Sequence, residues 1–446
     1  MRQWQRRPAN MLRLDQNSIG SDRNTLDKAL RTLYICYFGL REPLVQTQVL
    51  PYLRELALAG VEVYLLTFEP QLQREWDPGT RSHEEGRLAA QGIKWSALAY
   101  HKRPSVPATL YDIAAGAWTA ARLVRRHRID VLHARAHIPM AMALIAARIT
   151  SCLLVFDIRG MMAEEYADAG VWAERSIKFR AIKMIERAGI RRANQLVVLT
   201  NSMRKWLREN CLTTGDKIEV IPCCVDFTRY DQLDYGKKLE QGNFEVIYAG
   251  SVTGLYLLKE MAAFFLALRK HEPRAFLRIL TMSPPDEATE RLHCAGVPPE
   301  SFWVGGVDAR EVPRYLRGAQ IGLSFRKSTF SQLAASPTKI PEYLAAGLPT
   351  VSNAGIGDVD NLLESEGVGV VVHDFTPEEF EHAAKRALQL AADSKVRARC
   401  IEVARRHFDI KRVGANGYLN VYRRIANAGP SDSIQRSASD EISRCG

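Results

Sequence analysis

Residues 336–351 read SPTKIPEYLAAGLPTV. Ser336-Pro337 pairs an N-cap hydroxyl with proline at the first helical position. Gly347-Leu348-Pro349 then stops the helix and starts a buried strand. Lys339 falls in the first turn, where a cation opposes the helix dipole by roughly 0.3–1 kcal/mol. The placement becomes favourable when an anion occupies the helix N-terminus, because free amides, dipole and Lys339 then converge on a phosphate. Glu342, three residues on, shares the helical face and suits a pair of vicinal hydroxyls, as on a ribose. An ordinary helix with one surface Lys and one surface Glu satisfies the same pattern.

Outward from this segment the chain repeats a short β-branched or aromatic run followed by an amphipathic stretch. In the first half the runs are 31–38, 61–67, 130–133, 152–157, 195–199 and 217–221, with helical patterns near 46–60, 108–127, 138–149, 172–192 and 201–210. In the second half they are 244–250, 276–281, 302–305, 319–325, 349–352 and 368–372. The alternation predicts parallel sheets with crossover helices. A polar stretch at 228–243 reads as a linker between the two series. The expected fold is α/β: two Rossmann-like domains, 31–235 and 243–410, facing across a cleft where ligands meet the carboxyl ends of the strands. A helix over 411–427 is expected to cross back to the first domain. Residues 1–30 and 429–446 read as flexible tails.

Length and composition fit this division. The chain has 446 residues, too many for one ordinary core, with 46% hydrophobic and 25% charged residues. The net charge of +11 favours an anionic partner such as nucleotide phosphates or an anionic membrane. No zinc-finger spacing, helix-turn-helix pattern or aromatic RNA-binding signature points to nucleic acid. The eight cysteines form no Cys-x-x-Cys, and several lie in apolar runs, as buried free thiols do in a reducing compartment. Cys223 and Cys224 read as strand-end packing. The N-terminus has no apolar signal core, and the most apolar stretch parses as a helix followed by a strand, so the expected location is cytoplasmic.

SPTKIPEYLAAGLPTV resembles the donor-site motif of glycosyltransferase family 4, in the variant of bacterial polysaccharide- and glycolipid-assembly members. The likeness continues in order through 44–69, 133–165, 196–226 and YAGSVTG at 248–254. It implies the GT-B fold and a retaining, metal-independent transfer of a sugar from a nucleoside diphosphate to a glycan or lipid-linked glycan, with no cofactor. By matching position, Glu342 would hold the ribose, and Lys339 with the amides around Ser336 and Thr338 would hold the diphosphate. Gly250 and Ser251 would let backbone approach the nucleotide. Two departures stand out. Ala334 occupies the place of the motif's first Glu, which in many members touches the transferred sugar. The Arg and Lys that usually follow the first donor-domain glycine are absent, leaving Lys259, Arg326 or Lys327 to supply charge.

Other candidates lie in the first half. Asp157 and Arg159 in FDIRG follow a strand and are placed at the cleft for catalysis or acceptor binding, with Glu164 close behind; a loop-bracing pair is the plainer alternative. His133 and Arg135 end another strand and are acceptor-side candidates. Asp358-Val359-Asp360 resembles an Asp-x-Asp metal motif but sits at a helix start, where acids are favoured anyway, so no metal site is expected. Segment 174–193 holds seven Lys or Arg against two Glu. Its stripe Ile177, Ala181, Met184, Ile185 and Ala188 predicts either packing beneath a basic outer face or contact with anionic lipid. Rival readings are a catalytically silent glycan-binding or scaffold subunit and a sugar-nucleotide epimerase. A dehydrogenase is disfavoured by the lack of Gly-x-Gly-x-x-Gly.

Overall fold

The computed structural model describes residues 30–210, 212, 213, 215–231 and 242–428. The expected tail 429–446, nearly all of the tail 1–30 and most of the linker 228–243 lie outside the described residues.

The first sheet holds β1 (Arg31–Cys36), β2 (Glu62–Glu69), β3 (Ile93–Ala99), β4 (Val131–Arg135), β5 (Leu153–Asp157), β6 (Gln195–Val198) and β7 (Ile218–Val220). All are parallel, in the order β3-β2-β1-β4-β5-β6-β7. The second holds β8 (Phe244–Ala249), β9 (Ala275–Leu280), β10 (Phe302–Gly305), β11 (Ile321–Ser324), β12 (Thr350–Asn353) and β13 (Gly369–Val372). It is parallel too, in the order β10-β9-β8-β11-β12-β13. Strand order reverses between β1 and β4 and between β8 and β11, the crevices where ligands of such sheets bind.

Every expected strand is present, and β3 is an addition. It is an edge strand whose Lys94 is exposed while Ile93 and Trp95 are buried. A strand covered on one side and paired on one edge carries a weak apolar signal.

The chain returns to the first domain at its end. After a wide turn at Ile410–Ala415, the helix Asn416–Ala428 buries Tyr418, Leu419, Val421, Tyr422 and Ile425 among Tyr34, Tyr52 and Val63.

The basic helix Ile177–Arg192 is rotated from the expected packing. It buries Ile182, Glu186, Gly189 and Ile190, while Ile177 is 86% and Met184 72% exposed. Two contacts set the rotation. A Cβ on Gly189 would stand 2.8 Å from Phe156, so glycine permits close approach to β5. Glu186 turns inward because it meets His137 at 3.0 Å and Lys183.

Candidate functional site

β8 ends beside the donor-side candidates. Gly250 follows it with φ +143, a conformation that side-chain-bearing residues rarely adopt. A Cβ there would lie 3.3 Å from Lys339 Nζ, so glycine also keeps open the space beside that ammonium. Lys339 begins the helix Lys339–Ala345 and is buried. Its Nζ lies 4.1 Å from the Tyr256 ring centre and 4.7 Å from that of Tyr248, whose hydroxyl is 3.4 Å away. The Arg326 guanidinium faces the same Tyr256 ring at 5.1 Å, and its buried Nε has no hydrogen-bond partner among the described residues. Burial first, and Arg326 second, push the Lys339 ammonium well below the ordinary lysine value, with Glu342 opposing. Two cations sharing one aromatic wall are costly unless an anion joins them.

Glu342 lies one turn further on. Its carboxylate accepts from Arg229 Nη1 at 3.2 Å, and Arg229 Nη2 donates to the Ala309 carbonyl at 3.0 Å. Burial raises the Glu342 carboxyl above its ordinary value, against the pull of Arg229 and Lys339. A cavity of about 210 Å³ opens there, with Gln46, Thr47 and Arg54 of the first domain and Arg229 and Glu342 in its wall.

The other donor-side candidates separate. Ser336 is not the helix cap: Thr338 precedes the first helical residue, without a side-chain cap bond. The Ser336 hydroxyl instead accepts from the Cys223 backbone N–H at 3.0 Å, across the domain junction. Ser251 is exposed, and its carbonyl accepts from the Tyr248 hydroxyl. Lys327 reaches the Asp168 carbonyl at 3.5 Å, and Lys259 is exposed on a helix. Arg326 alone among these cations shares the Tyr256 ring with Lys339.

On the first-domain side the expected acceptor contacts need correction. Asp157, His133 and Arg135 are buried beneath the last helix. Asp157 accepts from Tyr418 Oη at 2.8 Å and Tyr34 Oη at 3.4 Å. Arg159 Nη1 and Arg135 Nη1 lie 3.5 and 3.7 Å from its carboxylate oxygens. Burial alone would raise the Asp157 carboxyl, but Arg159, His133 and Arg135 together hold it below the usual range. His133 Nδ1 meets Tyr422 Oη at 2.9 Å. His133 and Asp157 therefore anchor the last helix, with Arg135 beside the Asp157 carboxylate. Arg159 stays at the junction, its Nη2 3.4 Å from Cys223 Sγ. Glu164 is paired with Lys183 at 2.6 Å.

Asp358 accounts for the metal-like pair. Its carboxylate accepts from Asn201 N and Nδ2 at 2.6 and 3.1 Å, and from Ser202 N and Oγ at 3.1 and 2.8 Å. It thus caps the helix Asn201–Glu209 of the other domain. Asp360 accepts from the Gly355 amide at 2.7 Å. Among the described residues no group of three His, Cys, Asp or Glu is arranged to hold a metal ion.

The family model for Glycosyltransferase Family 4 matches residues 45–229. That match covers the larger part of the first domain and shows a likeness to the family there. A search of curated protein sequences finds no significant match. Among solved structures, sucrose-phosphate synthase from Thermosynechococcus elongatus is 14% identical with a TM-score of 0.66, over 90% of this chain and 100% of that one. HepE of Anabaena, in complex with UDP-glucose, is 15% identical with a TM-score of 0.61, over 90% and 99%. WaaG, a glycosyltransferase involved in lipopolysaccharide biosynthesis, is 15% identical with a TM-score of 0.61, over 87% and 98%. All three share the fold, GT-B.

In this chain the position of the motif's missing first Glu is closed. Ala334 is buried within the first-domain core cluster, and the adjacent Leu333 carbonyl accepts from Thr200 Oγ1 at 2.6 Å. Sequence reasoning missed Tyr248, Tyr256 and Arg229. Tyr248 stands two residues before Gly250 in YAGS, the only local signal for it. Arg229 begins the polar stretch read as a linker.

Proposed function

We propose that this chain is a glycosyltransferase that moves a sugar from a nucleoside diphosphate to a hydroxyl of a glycan or lipid-linked glycan in cell-surface polysaccharide assembly. In this reading it acts with retention, without a metal, at the cytoplasmic face of the membrane. The observation that carries it is the buried Lys339 set with Arg326 against the Tyr256 ring, two cations on one aromatic wall beside Gly250. Lys339 and Arg326 stabilise charge on the departing diphosphate as the glycosidic bond breaks. The departing phosphate oxygen takes the proton of the acceptor hydroxyl, so no separate base is called for. Glu342, already oriented by Arg229, meets the ribose hydroxyls. HepE structures with UDP and UDP-glucose support a nucleotide-sugar donor on this fold.

The membrane part of the reading rests on exposed apolar side chains. The helices Ser105–His127, His137–Thr150 and Ile177–Arg192 pack side by side and turn Trp118, Ile149, Ile177 and Met184 to solvent among many Lys and Arg. None of the described helices is long and apolar enough to cross a membrane.

The test is nucleotide binding and sugar transfer by Lys339→Ala and Glu342→Ala. Both variants are expected to lose at least about tenfold in nucleotide affinity, as removal of a charge-assisted bond does. Wild-type binding and turnover in both would overturn the assignment. Nucleotide binding by the native chain without any turnover would favour the silent scaffold that Ala334 leaves open.

A further inference from the structure

Across from the donor site, loops at the carboxyl edge of the first sheet gather side chains that the donor reading leaves unused. Tyr37 follows β1, Tyr100 and His101 follow β3, and Tyr111 and Asp112 lie near the start of the helix Ser105–His127. Asp112 is fully buried and accepts three hydrogen bonds: from Tyr37 Oη at 2.6 Å, His101 N at 3.1 Å and His101 Nδ1 at 2.6 Å. A carboxylate at Nδ1 keeps the proton there and leaves Nε2 to accept. The imidazole is 45% exposed, and Nε2 has no partner among the described residues. Around it the rings are ordered edge to face, Tyr37 on Tyr100 at 5.3 Å and His101 on Tyr111 at 5.1 Å. Tyr111 is 62% exposed, so its ring presents a face to solvent beside the imidazole.

A rigid aromatic wall with one oriented, outward hydrogen-bond acceptor suits a sugar ring. The ring's C–H face packs on a flat π surface, and a hydroxyl donates to the polar tip. Position sharpens the assignment. The strand-order reversal lies between β1 and β4, whereas β3 stands two strands beyond β1, roughly 10 Å away at normal strand spacing. We infer that His101, with Asp112 positioning it and Tyr100 and Tyr111 as its wall, is a distal subsite for a second sugar of the acceptor. On this assignment, which rests on the proposed transferase reading, the acceptor is an oligosaccharide or a carrier bearing one, and a free monosaccharide is a poor substitute.

The experiment is saturation-transfer NMR and calorimetry on the full chain, with cellotetraose, maltotetraose and mannotetraose against glucose and mannose. At least one tetrasaccharide is expected to bind better than its monosaccharide. His101→Ala and Tyr111→Ala should each weaken it roughly tenfold, as loss of a hydrogen bond or an aromatic contact at a binding site does. His101→Gln, which keeps an acceptor, should recover part of the loss. Both alanine positions are partly exposed, so thermal unfolding and UDP or GDP affinity should stay at native levels. Tetrasaccharides that do not bind, or that bind both variants as they bind the native chain, overturn the subsite. Failure of every nucleotide to bind the native chain would instead sink the transferase reading, whatever the sugars do.

Discussion

Lys339 shows how far a single residue can be read. Its place in SPTKIPEYLAAGLP pointed to an anion, and burial against Tyr248 and Tyr256 gives that reading a physical cost. The free side chain holds its proton poorly because burial and Arg326 both disfavour the charge. A bound diphosphate favours it. Between the depressed value and the ordinary lysine value, nucleotide binding is therefore expected to take up a proton, and affinity to fall as pH rises. Calorimetry in buffers of different ionisation enthalpy checks this. Uptake that persists unchanged in Lys339→Met would assign the proton elsewhere. Glu342 was legible for the same reason as Lys339: both lie on one short helix. Tyr248, Tyr256 and Arg229 were not, because they reach that helix from other segments.

At the scale of elements, the basic helix Ile177–Arg192 shows the limit of periodicity. Its apolar stripe was plain in the sequence, but which face packs inward was decided by Gly189 against Phe156 and by the Glu186–His137 pair. The result leaves Ile177 and Met184 outside, beside Lys178, Arg180 and Arg187. The chain is expected to float with vesicles containing roughly a third anionic lipid and to release at high salt, as polybasic contacts do. Ile177→Glu with Met184→Glu should weaken that capture while leaving nucleotide affinity alone. Equal recovery of native and variant chains with anionic vesicles, or none with either, would remove this helix from the membrane. The last helix was better foreseen, since a strongly amphipathic segment after the second domain has to find an apolar surface. That its anchors would be Asp157 and His133 was not visible, because those carboxylate and imidazole partners are more than 250 residues away.

For the whole molecule, small polar contacts join the two domains alongside the apolar packing of Ala334 and of Phe330 on Trp206. Asp358 caps the helix Asn201–Glu209, Thr200 bonds the Leu333 carbonyl, and Ser336 accepts from Cys223. Gly357, with φ +55, permits this approach: a Cβ there would lie 2.1 Å from the Ala335 carbonyl oxygen and 2.9 Å from Thr200. Loss of a capping carboxylate costs about 1 kcal/mol, enough at an interface of this kind to shift an open–closed balance several-fold. Asp358→Ala is therefore expected to enlarge the radius of gyration in small-angle scattering of the nucleotide-free protein. Superimposable profiles for variant and native chain would show that the cap does not govern closure.

Alternating apolar runs, read without any structure, were enough for two parallel sheets, and one short helix carried the expectation of a phosphate-and-ribose site. These features are local: strand and helix periods and a motif within a dozen residues carry them. Tertiary structure alone decided that Arg326 joins Lys339, that Asp358 caps a helix of the other domain, and that the buried Asp112 orients His101. Each of those pairings joins side chains from separate turns or opposite domains, so only the packing of the finished fold brings them within reach of one another.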